Sequence, residues 1–295
     1  MSANKPLIAA IGEVLWDILP EGPQLGGAPA NFAYFAKALG ADALLISRVG
    51  SDDLGERTLA RLGEAGLRLD GVSRDAEHET GKATVSVDAH GIPRFRIHEP
   101  SAWDFIETSP VIVDELRTAD AICFGTLGGR SAISRQAIRT LVEVTPREAI
   151  RILDLNLRAP FFDPETIREA LHLANMLKIN EDELAELSRL FELPGSEVDR
   201  LRAIQDRYEL TLVALTKGAA GSVLVQGSAL SCHPGVPTEV KDTIGAGDSF
   251  TAALVTGLVR GLSLDAVHAS AAELAAYVCS QPGATPPLFA QLAHS

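Results

Sequence analysis

Basic residues and cysteines are scarce in this sequence of 295 residues. Lysine and arginine number 26 against 39 aspartates and glutamates, a formal net charge of −13, so no nucleic-acid partner is expected. The three cysteines, Cys123, Cys232 and Cys279, form no C-x-x-C pair, which favours a reducing compartment, the cytoplasm, over a secreted scaffold. Bilayer-length apolar runs and a signal-peptide pattern are also missing, so no membrane partner is expected.

Several common site motifs are missing as well. Gly50 and Gly55 have the spacing of a Walker-type phosphate loop. Glu56 stands where that motif has Lys, so this loop is excluded. The first predicted strand is not followed by G-x-G-x-x-G, which disfavours an NAD-dependent Rossmann enzyme. There is no H-E-x-x-H and no cysteine–histidine cluster, so tightly bound zinc is not indicated.

The sequence does contain a regular alternation of short apolar strands and amphipathic helices. Hydrophobic residues make up 46% of the chain, enough for a sizeable core. The predicted strands are 7–11, 43–49, 121–124, 150–154, 176–179 and 212–216, and the predicted helices are about 29–39, 52–65, 131–143, 164–174, 181–190 and 196–208. This alternation predicts an α/β fold with a mainly parallel central sheet. No linker divides the chain, so residues 1–295 are expected to form a single domain.

Two segments follow a different pattern. Residues 83–88 and 94–98 alternate apolar and polar residues around a turn at 89–93. Period-two alternation predicts a hairpin with one solvent-facing side, belonging to a small sheet apart from the main one. Residues 218–231 predict a turn and two short strands at an antiparallel edge.

The stretch Asp242–Phe250 joins a loop of small residues to the start of an apolar helix. The backbone N–H groups of such a loop can bind an anion, and the helix dipole adds partial positive charge. Asp248 stands at the mouth of the helix. A carboxylate there is either an ordinary helix cap or a proton acceptor beside a bound phosphate, so both readings stay open.

Polar residues and glycines recur where the other predicted strands end. They are Asp17, Asn31, Asp154, Asn156, Arg158, Asn180, Glu183, Thr216, Gly218 and Gly221. Open parallel sheets bind ligands at the C-terminal ends of their strands. The sequence therefore predicts that these residues surround one site.

In this order the motifs resemble those of the ribokinase-like sugar kinases, the PfkB family. Residues 242–250 are similar to the family's second signature, and residues 26–31 to its glycine-rich sugar-side signature. Residues 180–183 resemble its N-x-x-E element, and residues 216–221 its T-x-G-x-x-G nucleotide loop. The match spans nearly the whole chain. Residues 12–17, taken with 26–31, are most similar to the fructokinase branch.

The resemblance implies a ribokinase-like three-layer sandwich with a small β-sheet lid at about 14–27 and 80–107. It implies an ATP-dependent kinase for a primary hydroxyl of a small sugar. Fructose is the first candidate substrate, and ribose, 2-keto-3-deoxygluconate or a nucleoside are the alternatives. A non-catalytic sugar- or nucleotide-binding regulator is the rival, disfavoured because Asp248, Gly245 and Gly247 are present. A homodimer through the lid sheet is expected, since pairing would cover exposed edge strands.

The resemblance also implies catalytic and sugar-binding roles. Asp248 would be the general base, and Arg158 a charged donor to the transferred phosphate. The anion hole would be formed by the N–H groups of Gly245, Ala246 and Gly247. The sugar would be bound by Asp17, Gly27, Asn31 and Arg96. Trp16 and Trp103 either line the sugar pocket or belong to the core.

The remaining implied roles concern ATP and metal ions. The nucleotide would lie against Asn180, Thr216, Gly218, Gly221 and Gly247. Mg²⁺ would be held through water by Asn180 and Glu183, because this ion keeps much of its hydration shell. A monovalent cation such as K⁺ would lie among Asp242, Ile244 and Gly283.

Overall fold

The computed structural model describes residues 5–19, 22–87 and 93–288. The strands are β1 (Leu7–Ile11), β2 (Leu15–Leu19), β3 (Gly22–Gly26), β4 (Asp42–Gly50), β5 (Val72–Asp75), β6 (Gly81–Val87), β7 (Pro93–Ile97), β8 (Ala121–Phe124), β9 (Ile150–Asp154), β10 (Met176–Asn180), β11 (Leu212–Thr216), β12 (Ser222–Gln226) and β13 (Ala229–His233). The α-helices are α1 (Ala28–Ala38), α2 (Asp53–Glu64), α3 (Pro110–Leu116), α4 (Ala132–Glu143), α5 (Pro164–Leu173), α6 (Glu181–Phe191), α7 (Glu197–Arg207), α8 (Ala246–Val259) and α9 (Leu264–Cys279).

The large sheet has the strand order β13-β12-β11-β10-β9-β8-β1-β4-β5. Every pairing from β11 to β5 is parallel, and β12 and β13 add the predicted antiparallel edge. The predicted α/β fold is therefore confirmed. Each helical segment between parallel strands returns the chain to the same end of the sheet, so the C-terminal strand ends share one edge.

Helices cover both faces of this sheet, which gives the three-layer sandwich. In β1, Ala9 and Ile11 pack into one hydrophobic cluster, whereas Ile8 and Ala10 pack into the other. This division follows from the alternation of side chains along a strand. The first cluster takes residues from α3 to α7, and the second takes residues from α1, α2, α8 and α9. Because both faces are buried, the strands read as continuous apolar runs in the sequence.

A second sheet has the order β3-β2-β6-β7, built from the two segments predicted to form the lid. The β6–β7 pair is the predicted antiparallel hairpin. Residues 89–92 of its predicted turn, together with residue 88 before them, lie outside the described residues. The indole N–H of Trp16 on β2 donates to the hydroxyl of Thr58 on α2 at 2.9 Å, which ties the small sheet to the main body. Trp16 and Trp103 are completely buried, so both belong to the core.

Within the described ranges, no helix combines the length and apolar character needed to cross a membrane.

Candidate active site

The polar residues predicted at the strand ends lie along one edge of the large sheet. Asn180, the last residue of β10, pairs in register with Thr216, the last residue of β11. Asp154 ends the neighbouring strand β9. The helix α8 carries Asp248 in its first turn and packs against β9. Parallel pairing of these strands therefore brings distant motifs together.

Asp248 and Asn31 are in direct contact, although 217 residues separate them in the sequence. The side-chain amide of Asn31 donates to a carboxylate oxygen of Asp248 at 2.7 Å. Asn31 lies in the first turns of α1 and is only 5% exposed. The contact joins the predicted sugar-side motif to the predicted phosphate loop. It also fixes the direction of the carboxylate.

The surroundings of Asp248 raise the pKa of its carboxyl group to about 6. Burial is the largest cause, and the negative charge of Asp154 is the next. The hydrogen bond from Asn31 and the positive charges of Lys178 and Arg158 act in the opposite direction. A carboxylate with a pKa near neutrality is a better proton acceptor than an ordinary surface aspartate.

The loop before α8 keeps its side chains away from the helix N-terminus. The N-cap is Gly245, with φ at +80°, and no side chain caps the helix. A Cβ at Gly245 would collide with the carbonyl oxygen of Ala284, so only glycine fits. The N–H of Ala246 donates to the carbonyl of Thr243 at 3.3 Å. Asp248 is the third helical residue and accepts from Asn31 rather than serving as the N-cap, which favours the proton-acceptor reading over the capping reading.

The carboxylate of Asp17 on β2 lies close to Gly26, the last residue of β3. A Cβ on Gly26 would be 2.9 Å from a carboxylate oxygen of Asp17. Burial raises the pKa of Asp17, and the charge of Arg158 opposes that shift. Gly27 is the N-cap of α1, so it precedes the helix that carries Asn31.

The predicted arginines Arg158 and Arg96 stand differently to the site. Both side chains are exposed. The charge of Arg158 lowers the pKa of Asp17, of Asp248 and of Glu13, so it lies within electrostatic reach of all three carboxyl groups. The alternative partners Asp154 and Asp163 are engaged elsewhere, by Lys178 and by the first turn of α5. Arg96 lies on β7 opposite Thr84, and no contact of the described residues connects it to the site.

The nucleotide-loop residues form a tight turn after β11. Gly218 has φ at +51° and Gly221 has φ at +88°. A Cβ on Gly221 would collide with the carbonyl oxygen of His233, so the turn packs closely on β13. The hydroxyl of Thr216 donates to the carbonyl of Ile179 at 3.3 Å. The loop therefore offers an open, side-chain-poor surface beside Asn180.

Asn180 and Glu183 form a reciprocal capping box at the start of α6. Asn180 accepts from the N–H of Glu183, and Glu183 accepts from the N–H of Asn180, both at 2.9 Å. The other oxygen of Glu183 accepts from the N–H of Leu157 at 3.0 Å. Within the described ranges, no three His, Cys, Asp or Glu side chains are grouped to hold a metal ion. Because both oxygens of Glu183 already accept backbone N–H groups, Asn180 and Glu183 would hold Mg²⁺ through its water ligands.

The two segments predicted to hold a monovalent cation lie side by side. The N–H of Gly283 donates to the carboxylate of Asp242 at 3.1 Å, and the N–H of Ile244 donates to the same carboxylate at 3.0 Å. The N–H of Lys241 donates to the carbonyl of Cys279 at 2.9 Å. Both segments expose backbone at this junction, and carbonyl oxygens are suitable ligands for K⁺.

The sequence predicted no role, or only a minor one, for four residues of the site: Glu13, Asp154, Lys178 and Thr251. Glu13 follows β1 and is buried, with one carboxylate oxygen that has no partner among the described residues. Burial raises the pKa of Glu13 to about 7. Lys178 is a buried lysine inside the apolar strand β10. A charged residue inside an otherwise apolar strand was the available signal for Lys178.

The comparison with known proteins agrees with this geometry. The model of the pfkB family carbohydrate kinases matches residues 23–290. A fructokinase from Klebsiella pneumoniae is 31% identical over 280 residues, which cover 91% of this chain and 89% of that one. An uncharacterized sugar kinase from Pyrococcus horikoshii, solved in complex with ATP, is 26% identical with a TM-score of 0.77 and 94% coverage of both chains. A fructokinase from Vibrio cholerae O395, solved with fructose, ADP and calcium ion, is 24% identical with a TM-score of 0.79 and 97% coverage of both chains, a likeness of fold.

Fold, site and relatives together define a phosphotransferase that acts on a sugar. The chain belongs to the pfkB family of carbohydrate kinases. Its ribokinase-like sandwich and its small separate sheet are those expected from the motifs.

The raised pKa of Asp248 has a consequence for stability. A carboxyl group that holds its proton more tightly when folded than when unfolded loses stability as the pH rises through its folded pKa. We expect Asp248→Asn, which carries no charge, to match the wild type near pH 4. Above pH 7 it should exceed the wild type by up to about 3 kcal/mol, the equivalent of about two pKa units. Urea unfolding at several pH values measures this difference.

Asp199 is a matched control, because it is the third residue of α7 as Asp248 is of α8. Its hydrogen bonds with Ser196 lower its pKa. Asp199→Asn should therefore destabilise the protein at neutral pH, and the loss should vanish in acid. An Asp248→Asn variant with the same behaviour as Asp199→Asn would contradict the raised pKa.

Proposed function

We propose that the protein is an ATP-dependent kinase that transfers the γ-phosphoryl group to a primary hydroxyl of fructose. The observation that carries the proposal is the contact between Asn31 and Asp248, which joins the sugar-side motif to a half-buried carboxylate in the first turn of α8. The pKa of that carboxylate, about 6, suits a proton acceptor at neutral pH.

In the proposed reaction, Asp248 accepts the proton of the sugar hydroxyl as the oxygen attacks the γ-phosphorus. The new P–O bond forms to the sugar, and the bond between the γ-phosphorus and the bridging oxygen breaks, releasing ADP. The N–H groups at the start of α8 stabilise charge on the transferred group, with Gly245, Ala246 and Gly247 as the anion hole. Before it donates there, the N–H of Ala246 must leave the carbonyl of Thr243. Arg158 adds a mobile positive charge from the exposed side.

The nucleotide is proposed to lie along the loop from Thr216 to Gly221, with Gly247 at the phosphates. Asn180 and Glu183 would hold Mg²⁺ through water, since both oxygens of Glu183 already accept backbone N–H groups. When bound, Mg²⁺ supplies charge neutralisation at the phosphates. A monovalent cation beside Asp242, Ile244 and Gly283 would stabilise the loop that precedes α8.

The sugar is proposed to bind between the small sheet and α1. Asp17 lies close to Gly26, and Gly27 and Asn31 belong to the start of α1, so the three would present carboxylate, backbone and amide groups that can pair with sugar hydroxyls. Arg96 would reach the sugar only if the β6–β7 hairpin moves inward. Such a closure would exclude water and so prevent hydrolysis of ATP.

The choice of fructose rests on the relatives. The Klebsiella pneumoniae relative is named fructokinase, and the Vibrio cholerae neighbour was solved with fructose. Ribose, 2-keto-3-deoxygluconate and nucleosides share the primary hydroxyl and are the competing substrates.

Replacing the proposed base tests the reaction. Asp248→Asn keeps the size and the acceptor oxygen for Asn31 but cannot take a proton, so kcat should fall by about 10²–10⁴-fold. Binding of ATP, measured by calorimetry, should stay within about threefold of the wild type, because the backbone of the loop is unchanged. Asp199→Asn should keep full kcat. Substantial turnover by Asp248→Asn would remove Asp248 from the role of base.

A panel of sugars tests the substrate. With MgATP in excess, kcat/KM from ADP release should be at least about tenfold higher for fructose than for ribose, 2-keto-3-deoxygluconate or a nucleoside.

Replacing Na⁺ by K⁺ should raise the rate if the cation site is used. Equal rates in the two salts would remove the cation site without affecting the sugar assignment, whereas a better competing sugar would replace fructose.

A second copy of the chain is the proposed partner at the small sheet. Its outer strands β3 and β7 are each paired on one side only among the described residues, which leaves open hydrogen-bonding edges. Sedimentation equilibrium should give twice the mass of the chain. A profile of monomer alone at micromolar concentration would contradict this partner.

A further inference from the structure

A buried ion pair lies directly behind the loop that precedes α8. The ammonium group of Lys178 on β10 donates to a carboxylate oxygen of Asp154 on β9 at 3.0 Å. Both side chains are less than 10% exposed. A Cβ placed on Gly247 would lie only 2.8 Å from the Lys178 nitrogen, so the ammonium group rests against the backbone of the proposed anion hole.

Thr251 connects this pair to α8. Its hydroxyl lies 2.9 Å from the second carboxylate oxygen of Asp154 and 2.9 Å from the carbonyl oxygen of Gly247, one turn earlier in the helix. Both oxygens of Asp154 are therefore engaged, one by β10 and one by α8. The carboxylate joins the two central strands to the first turn of the helix that carries Asp248.

Stability alone does not explain such a pair. Removing two charges from water costs several kcal/mol, and a well-packed apolar pair of the same volume is often equally stable. Replacement of Lys178 and Asp154 by apolar residues would preserve the core of the sheet. Their position behind Gly247 and beside Asp248 points instead to a role in the reaction.

We propose that Asp154, Lys178 and Thr251 act as one positioning unit, which fixes the first turn of α8 and balances the electric field at Asp248. Both charged side chains are buried behind Gly247, so in this proposal they act through Asp248 and the first turn of α8. The inference rests on the proposed function, because it assumes that Asp248 takes the proton.

The charged and titratable groups around Asp248 come from several elements. Asp154 on β9 and Glu13 after β1 add negative charge, and Lys178 on β10 and Arg158 after β9 add positive charge. The buried thiol of Cys123 on β8 has a pKa well above its usual value, chiefly through burial, and stays neutral. Lys178 forms an ion pair with Asp154 at 3.0 Å, so its positive charge lies against Gly247. Asp154 and Lys178 therefore act on Asp248 with opposite signs.

The two single substitutions should shift the pH–rate profile in opposite directions. Asp154→Asn removes a negative charge, so the acid limb of kcat/KM for the sugar should move to lower pH by at least about half a unit. Lys178→Met removes a positive charge, so the same limb should move to higher pH by a similar amount. The double variant should lie between them. The titration of MgATP itself cancels, because all variants are measured with the same nucleotide and metal concentrations.

Thr251→Val and Thr256→Val separate positioning from packing. Both threonines are buried in α8, but the Thr256 hydroxyl has no partner among the described residues. Thr251→Val should lower kcat by at least about threefold with little shift of the acid limb, because it removes a hydrogen bond and no charge. Thr256→Val should leave kcat unchanged.

Two outcomes would overturn the inference. One is an acid limb that moves in the same direction, or not at all, in Asp154→Asn and Lys178→Met. The other is a kcat of Thr251→Val equal to that of Thr256→Val. If Lys178→Met fails to fold, Asp154→Asn and the double variant still test the sign of the shift. An active Asp248→Asn variant would instead overturn the proposed function, so the two failures are distinguishable.

Discussion

The hydrogen bond between Asn31 and Asp248 is the contact on which the arrangement of the site depends. It requires α1 and α8 to lie side by side, with their first turns at the same edge of the sheet. That placement in turn requires β1 to insert between β4 and β8, so that the N-terminal strand occupies the interior of the sheet rather than an edge. A sugar-side motif at the beginning of the chain and a phosphate-side motif near its end thereby become one site, as is usual for ligand sites at the C-terminal edge of open parallel sheets.

The site concentrates ionisable groups that a stable protein would otherwise avoid burying. Glu13, Asp154 and Lys178 are buried and Asp248 is half-buried, and Glu13 keeps an unpartnered oxygen among the described atoms. Burial of such groups costs free energy unless each is paired or neutralised. Only Asp154 and Lys178 pair directly, and the carboxyl groups of Glu13 and Asp248 respond with raised pKa values. Perturbed groups collected in this way are typical of sites where proton transfer takes place.

The large sheet and the small sheet contribute different properties. Helices cover both faces of the large sheet, and its core is closely packed. This packing holds the strand ends and the loop before α8 in fixed positions. The small sheet is tied to that body by Trp16 and its hydrogen bond to Thr58. The residues proposed for phosphoryl transfer therefore lie on the large sheet and α8, whereas Asp17, proposed to bind the sugar, lies on the small sheet.

The sequence by itself determined the fold class, most of the strands and helices, the lid segments and the motif residues from Asp17 to Asp248, because strand and helix periodicities and glycine-rich loops are local signals. It missed β5, α3 and α9. The elements β5 and α3 have four and seven residues, too short to show a period, and α9 is rich in alanine, which weakens its apolar periodicity. Only the tertiary structure decided that Trp16 and Trp103 are core, that Asn180 and Glu183 cap each other, and that Lys178 and Thr251 engage Asp154 behind Gly247. Burial, pKa and contacts between distant residues arise when the chain closes on itself, and no local pattern encodes them.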